Sequence, residues 1–65
     1  MQRTLIAYRA NGNVSNWQTF GSRNGKLLTV SECKEICQSW IDSGEWNFVS
    51  LMYEDSARAI KHFRA

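Results

Sequence analysis

The sequence lacks most of the features from which a function is usually recognised. It contains no proline, no internal repeat and no low-complexity tract, and it has one histidine and two cysteines. No segment approaches the roughly 20 apolar residues of a membrane span, and we expect no signal peptide. Eight Lys and Arg against six Asp and Glu give a net charge of +2, which is too sparse for a dedicated nucleic-acid binder.

The chain does contain enough apolar side chains for one core. Its residues are 43% hydrophobic and include three Trp, three Phe and two Tyr, a composition that excludes a disordered chain. A domain of 65 residues buries only about 60% of the surface that its unfolded chain exposes. We therefore predict a single small domain over residues 1–65, of modest stability unless a partner covers part of it.

One amphipathic helix with both ends marked is predicted over residues 29–43. Thr29 and Glu32 form a capping box at its start, and Gly44 can take the left-handed conformation just past its end. Its apolar residues follow the i, i+3, i+4, i+7, i+8 spacing of one buried stripe. They are Cys33, Ile36, Cys37, Trp40 and Ile41.

A β-hairpin is predicted before this helix. Residues 3–10 alternate as a strand does, with Arg3 and Arg9 flanking Leu5 and Ala7 on one face, and the dipeptide Asn11-Gly12 favours a tight turn. A return strand follows over residues 13–20. Its apolar residues do not alternate, which predicts a bulge or a twist near position 16 if the strand is continuous. Residues 21–25 are polar and contain two glycines, so we expect a loop there.

Two further elements are expected after the helix. Residues 46–53 form the most strand-like segment, and because both of its faces are apolar we expect it to be central or covered on both sides. Residues 57–64 are predicted to form a short helix, capped by Asp55 or Ser56, that buries Ala57, Ile60 and Phe63. Arg58, Lys61, His62 and Arg64 would be exposed on it and stabilised by its dipole.

The predicted fold class is α+β. We expect a three-stranded antiparallel sheet, formed in the order strand, strand, helix, strand, with the third strand beside the first. The main amphipathic helix would cover one face of the sheet. The short C-terminal helix would cover part of the other face or pack at an edge.

The candidates for catalysis and metal binding are few. Cys33 and Cys37 lie one turn apart on the buried stripe, where side-chain directions suit a disulfide poorly and a thiol behaves as a small hydrophobe. A reactive pair with His62 is the alternative, and a structural zinc site would usually need four ligands. We predict reduced thiols, a cytoplasmic location, no enzymatic activity, no metal site and no cofactor.

Two kinds of binding surface can be proposed from the sequence. The aromatic residues exceed what the helices can cover, so an uncovered sheet face would bind a protein partner or a second copy of the chain. We assign Tyr8, Trp17 and Tyr53 to that surface. The alternative is nucleic-acid binding by the basic side chains, with Trp17 or Tyr8 stacking on bases. Its candidate residues are Arg23, Arg58, Lys61 and Arg64.

Two segments carry a resemblance to a known family. They are WQTFGS at residues 17–22 and LTVSEC at residues 28–33, joined by a short polar loop. In these segments the chain resembles a family of small enterobacterial and prophage-encoded proteins of unknown function. The resemblance implies a phage or prophage origin and no particular activity. Small phage accessory proteins commonly bind a host or defence protein, so we predict a non-enzymatic protein that inhibits or modulates such a factor.

Overall fold

The computed structural model describes residues 3–56 and 58–65, which form an α+β fold, as predicted, and contain one helix. In chain order the elements are strands β1 (Leu5–Asn11), β2 (Val14–Thr19), β3 (Ser22–Arg23) and β4 (Lys26–Leu27), helix α1 (Val30–Asp42), and strands β5 (Phe48–Tyr53) and β6 (Ala59–Arg64). This helix is too short and too polar to cross a membrane, and the described residues contain no helix that could do so.

The main sheet has four antiparallel strands in the order β2-β1-β5-β6. The predicted neighbours are confirmed, since β5 pairs with β1 and β1 pairs with β2. β5 lies in the interior of the sheet between β1 and β6, which agrees with its apolar residues on both faces. The prediction of three strands is wrong, because the C-terminal segment adds a fourth.

The predicted C-terminal helix over residues 57–64 is also wrong. Residues 59–64 form β6, an edge strand antiparallel to β5. Ala57, which the prediction placed in the first turn of that helix, lies outside the described residues. The basic side chains of this segment are exposed as expected, but no helix dipole acts on them.

A β-bulge explains why β6 has the apolar spacing of a helix. Leu51 pairs with Lys61 and Met52 pairs with Ala59, so Ile60 is an extra residue on the β6 side. Ile60 packs against the core, although strict alternation would have pointed it the other way. Apolar residues three positions apart can therefore lie on the core side of a strand.

The predicted β1–β2 hairpin is confirmed, with its turn one residue later than expected. Asn11 pairs with Val14, and the two residues between them are Gly12 and Asn13, with φ of 62° at Gly12. Glycine with positive φ at the first of two loop residues is typical of a type II′ turn. The predicted bulge near Asn16 is wrong, because the β1–β2 register is unbroken and Val14 is exposed instead of buried.

A second hairpin lies where a loop was expected. Ser22 pairs with Leu27 and Arg23 with Lys26, which makes a separate two-stranded sheet of β3 and β4. Its turn is Asn24-Gly25, with φ of 53° and 77°. Positive φ at both central residues is the property of a type I′ turn.

Helix α1 forms as predicted, with Thr29 as the N-cap and Ser43 as the C-cap. The Glu32 N–H donates to Thr29 Oγ1 at 3.2 Å, and the Thr29 N–H donates to Glu32 Oε1 at 3.0 Å. This second bond, together with one from the Thr29 hydroxyl, holds the pKa of Glu32 below its usual value. Gly44 has φ of 79°, as the helix end requires.

The core lies between α1 and one face of the main sheet. Leu5 and Ala7 of β1 and Val49 and Leu51 of β5 point toward the helix. The helix contributes Cys33, Cys37 and Ile41, and the segments around it contribute Phe20, Trp46 and Phe63. At one end of this core the Cζ atom of Arg9 lies 4.7 Å from the centroid of the Trp40 ring and 4.6 Å from that of the Trp46 ring. No described helix covers the other face of the sheet.

Candidate binding surface

The sheet face that points away from α1 is the candidate functional site, and we call it the open face. Strand residues alternate between two faces, and the residues that alternate with the core positions lie here. The strand register confirms that they are cross-strand neighbours. They are Ile6, Tyr8, Ala10, Ser15, Trp17, Thr19, Phe48, Ser50, Met52, Ala59, His62 and Arg64.

Four rings on this face form a continuous row across all four strands. The row consists of Trp17 on β2, Tyr8 on β1, Phe48 on β5 and His62 on β6. The Tyr8 ring centroid lies 5.2 Å from that of Trp17 and 6.4 Å from that of Phe48, and the Phe48 centroid lies 5.6 Å from that of His62. These separations fall in the range of favourable aromatic contact. We call these residues the aromatic row.

The two inner rings of the aromatic row are packed between their neighbours, whereas the residues at its two ends, Trp17 and His62, are exposed. Trp17 is 59% exposed, whereas Tyr8 and Phe48 are half-buried. Ser50 pairs with Tyr8 on one side and with His62 on the other, and its small side chain is buried between the larger ones. The inner rings are thus held by their neighbours, and Trp17 presents most of an indole ring to solvent.

The open face carries little charge. Arg64 is the one formally charged residue among its described members, and its Cζ lies 5.7 Å from the centroid of the Phe48 ring. A guanidinium over an aromatic face is attracted by the ring quadrupole. The surface is therefore aromatic, with a cation at its β6 end and no carboxylate among the described residues of the face.

The structure brings together two of the three predicted partner-binding residues. Tyr8 and Trp17 are directly paired across β1 and β2. Tyr53 pairs with Leu5 and belongs to the helix side of the sheet, where the Arg3 guanidinium lies 3.8 Å from its ring centroid. Arg3 is held there by Asp55 through an Nη2–Oδ1 contact of 2.6 Å, which lowers the pKa of that carboxyl group. Tyr53 is not part of the open face.

Tyr53 and Arg3 line a shallow cleft beneath the start of α1. Leu27, Leu28 and Val30 form much of its remaining wall. Its volume is about 170 Å³, whereas pockets for small molecules usually measure about 300–1,000 Å³. We therefore place the candidate function on the open face and not in this cleft.

The four predicted nucleic-acid-binding cations do not share one surface. Arg64 lies on the open face, whereas Lys61 is on the opposite side of β6, with its Nζ 5.2 Å from the Phe63 ring. Arg23 is on the small hairpin, 4.0 Å from a Glu32 oxygen. Arg58 is exposed just before β6. Of the four, the strand register places only Arg64 on the open face.

The cysteines are separated from the histidine by the sheet. Both thiols are free, fully buried and on the helix side, whereas His62 is exposed on the open face. Burial raises the pKa of Cys33 to about 11 and that of Cys37 to about 12. No group of three or more His, Cys, Asp or Glu side chains suited to hold a metal occurs in residues 3–56 and 58–65.

Sequence reasoning missed Phe48 and His62 as members of the site. The alternation of β5 places Phe48 and Met52 together on one face, and that signal was available in the sequence. The sequence predicts a helix around His62, and only the β5–β6 register brings this residue beside Phe48. Both residues complete the aromatic row that Tyr8 and Trp17 begin.

Comparisons with known protein families, with curated proteins and with solved structures find no match. The resemblance to small prophage-encoded proteins therefore stays a prediction, and the functional argument depends on the surface itself.

Proposed function

We propose that this chain is a non-enzymatic binding module that contacts a protein partner through its open face, with Trp17 as the main anchoring side chain. The observation that carries the proposal is the aromatic row, which ends in an indole ring 59% exposed to solvent. An exposed Trp beside packed aromatic rings is the arrangement that protein interfaces favour at their centres.

The packing of the row favours tight binding. The Tyr8 and Phe48 rings are already held by contacts within the sheet, so a partner would order few side chains on binding. The chemistry of the face defines the partner: an apolar surface to cover the rings, and an acidic group opposite Arg64. A host or defence factor is the class of partner that the phage-like resemblance suggests.

Binding of single-stranded nucleic acid is the second candidate, and one observation favours it. The open face combines an exposed indole ring with the Arg64 guanidinium, and single strands are bound by aromatic stacking together with cations. The positions of Arg23 and Lys61 away from this face weigh against it, because phosphate contacts supply most of the affinity of such proteins.

The experiment that tests the first candidate compares two equally exposed residues of β2. Val14 is 63% exposed and Trp17 is 59% exposed, but only Trp17 lies in the aromatic row. The tagged chain and its Trp17→Ala and Val14→Ala variants would be used to capture a protein from a lysate of the native host. Binding of the purified partner would then be titrated against all three chains.

We expect Trp17→Ala to weaken binding at least about 30-fold, as loss of an interface hot spot does, and Val14→Ala to leave it unchanged. Circular dichroism would confirm that both variants are folded. Equal loss in both variants, or full affinity in Trp17→Ala, would show that the open face is not the binding surface.

The second candidate is tested with a single-stranded oligonucleotide. Binding would be followed by Trp fluorescence at about 50 mM and 200 mM salt, because affinity due to phosphate contacts falls steeply over that range. Binding that depends strongly on salt and is lost in Arg64→Ala would show that the open face binds a nucleic acid and would favour this candidate over a protein partner. Absence of binding at the lower salt concentration would remove this candidate.

A further inference from the structure

The two edges of the main sheet differ in how well they resist pairing with another strand. The β6 edge carries Lys61, His62 and Arg64 and contains a bulge, which are features that protect an edge from unwanted pairing. The β2 edge, Val14–Thr19, has no charged residue, no proline and no bulge, and all six of its residues are exposed. Within the described residues no strand pairs with its outer side.

The outward backbone groups of β2 can be identified from two hydrogen bonds. The Leu5 carbonyl accepts from the Phe20 N–H at 2.9 Å, on the β2 side, and the Ala10 carbonyl accepts from the Asn47 N–H at 3.0 Å, on the β5 side. Odd-numbered residues of β1 therefore bond toward β2, and their partners are the even-numbered residues of β2. The N–H and C=O groups of Ser15, Trp17 and Thr19 consequently point outward.

We infer that two copies of this chain pair through β2, in antiparallel register with Trp17 on the two-fold axis. In this register Ser15 of one copy lies opposite Thr19 of the other, and Trp17 lies opposite Trp17. The residues with outward backbone groups then form the hydrogen-bonded pairs of the new ladder. The Gln18 side chain already donates to the Thr19 carbonyl at 3.0 Å, and that oxygen has a second lone pair for the partner strand.

The side chains of β2 are complementary to themselves in this register. Hydroxyl residues meet hydroxyl residues, the Asn16 amide meets the Gln18 amide, and the two indole rings meet at the axis; such cross-strand pairs stabilise sheets. Val14 and Trp17 are the only large hydrophobic residues exposed in the described part of the chain, and both are on this strand. The strand itself is uncharged, so this pairing places no like charges directly opposite each other.

Pairing of this kind would join two sheets into one. The aromatic rows of the two copies would meet at the Trp17 pair and form a single aromatic surface across both molecules. The inference concerns the edge of the sheet, so it stands or falls separately from the proposed binding of a partner to its face.

The test uses charge substitutions at the two positions that face each other in the proposed dimer. The first variant carries Ser15→Lys and Thr19→Lys, and the second carries Ser15→Glu and Thr19→Glu. All four substitutions are at exposed positions, so the monomer should fold. A control matched to the Lys variant carries Ser31→Lys and Ser39→Lys at exposed positions of the helix, which changes the net charge by the same amount.

Molecular mass would be measured by sedimentation from low concentrations up to about 1 mM. We expect the unchanged chain and the helix control to dimerise as concentration rises, and each edge variant alone to stay monomeric because like charges oppose. A mixture of the Lys and Glu variants should restore the dimer. A monomeric unchanged chain over the whole range, or a dimer that persists in both edge variants, would overturn the inference.

Discussion

Cys33 and Cys37 illustrate how burial sets the chemistry of a single residue. Each thiol is fully enclosed between α1 and the sheet, and loss of hydration disfavours the charged thiolate. The pKa of Cys33 is raised to about 11 by burial and, to a smaller extent, by the nearby Glu32 carboxylate. The pKa of Cys37 is raised to about 12 by burial and by Cys33, with Arg9 opposing the rise. At neutral pH both thiols are protonated and unreactive.

These pKa values predict a loss of stability at alkaline pH. In the unfolded chain the thiols ionise near pH 9, whereas in the folded protein they stay protonated to about pH 11 or above. Their contribution to stability is therefore complete below pH 9 and declines as the pH rises through the folded pKa values. Urea titrations at a series of pH values should show the free energy of unfolding falling above pH 9.

The control for this prediction is the Cys33→Ala, Cys37→Ala double variant, in which the other alkaline titrations remain. Its free energy of unfolding should decline less between pH 9 and pH 11 than that of the unchanged chain. Identical slopes for the two chains would contradict burial of the thiols. Thiol labelling at pH 8 gives an independent check, since it should be slow until denaturant is added.

Residue-level sequence reasoning found half of the site, and the reason for the rest is physical. The alternation of β1 and the turn after it place Tyr8 and Trp17 on one face. The sequence groups Tyr53 with them because β5 is apolar on both faces, and its pattern does not say which of these faces the helix covers. Which face the helix covers is decided by the packing of α1 against Val49 and Leu51, and this long-range contact cannot be read from a local sequence pattern.

The two Asn-Gly dipeptides show the limits of local signals at the level of elements. Asn11-Gly12 follows a strand that alternates, and the sequence therefore predicts its hairpin. Asn24-Gly25 forms a type I′ turn with both residues at positive φ, but its flanking strands are two residues each and carry no apolar alternation. The same dipeptide occurs in both places, and only the alternating strand before the first one makes a hairpin recognisable there.

The β1–β2 turn should depend on the absence of a side chain at Gly12. Its φ of 62° lies in the left-handed region, where a residue with a Cβ pays about 1–2 kcal/mol. We expect Gly12→Ala to lower the free energy of unfolding in urea by about that amount. Gly21→Ala is the matched control, because Gly21 has no such φ and its added Cβ would meet no atom within 4 Å. If the free energy of unfolding fell as much in Gly21→Ala, the loss would not be due to the positive φ at Gly12.

The wrong assignment of β6 has a definite cause. Residues 57, 60 and 63 are apolar at near-helical spacing, and the segment has no turn residues or β-branched run to favour a strand. The bulge at Ile60 lets that spacing occur in a strand, and the pairing that stabilises it comes from β5, several residues upstream. Tertiary pairing of this kind routinely overrides local propensity.

In the molecule as a whole, the core lies on one face of the main sheet, and the stability of the fold depends on that face. A chain of 65 residues typically has a free energy of unfolding of about 3–10 kcal/mol, so a single core residue contributes a large share. The helix side of the sheet contains the fully buried residues, whereas the apolar side chains of the open face stay half-exposed or exposed. Stability and binding should therefore depend on opposite faces of the same strands.

Two adjacent residues of β5 allow the contributions of the two sheet faces to stability to be compared. Leu51 points into the core and is fully buried, whereas Met52 points to the open face and is half-buried. Leu51→Ala should cost about 2–5 kcal/mol, enough to unfold much of the protein, because it removes buried contacts and leaves a cavity. Met52→Ala should cost about 1 kcal/mol, since a half-buried side chain loses less apolar contact. The free energies of unfolding would be measured by urea denaturation. If both variants lost the same amount, Met52 would be as buried in solution as Leu51, and a second copy of the chain or a ligand would have to cover the open face.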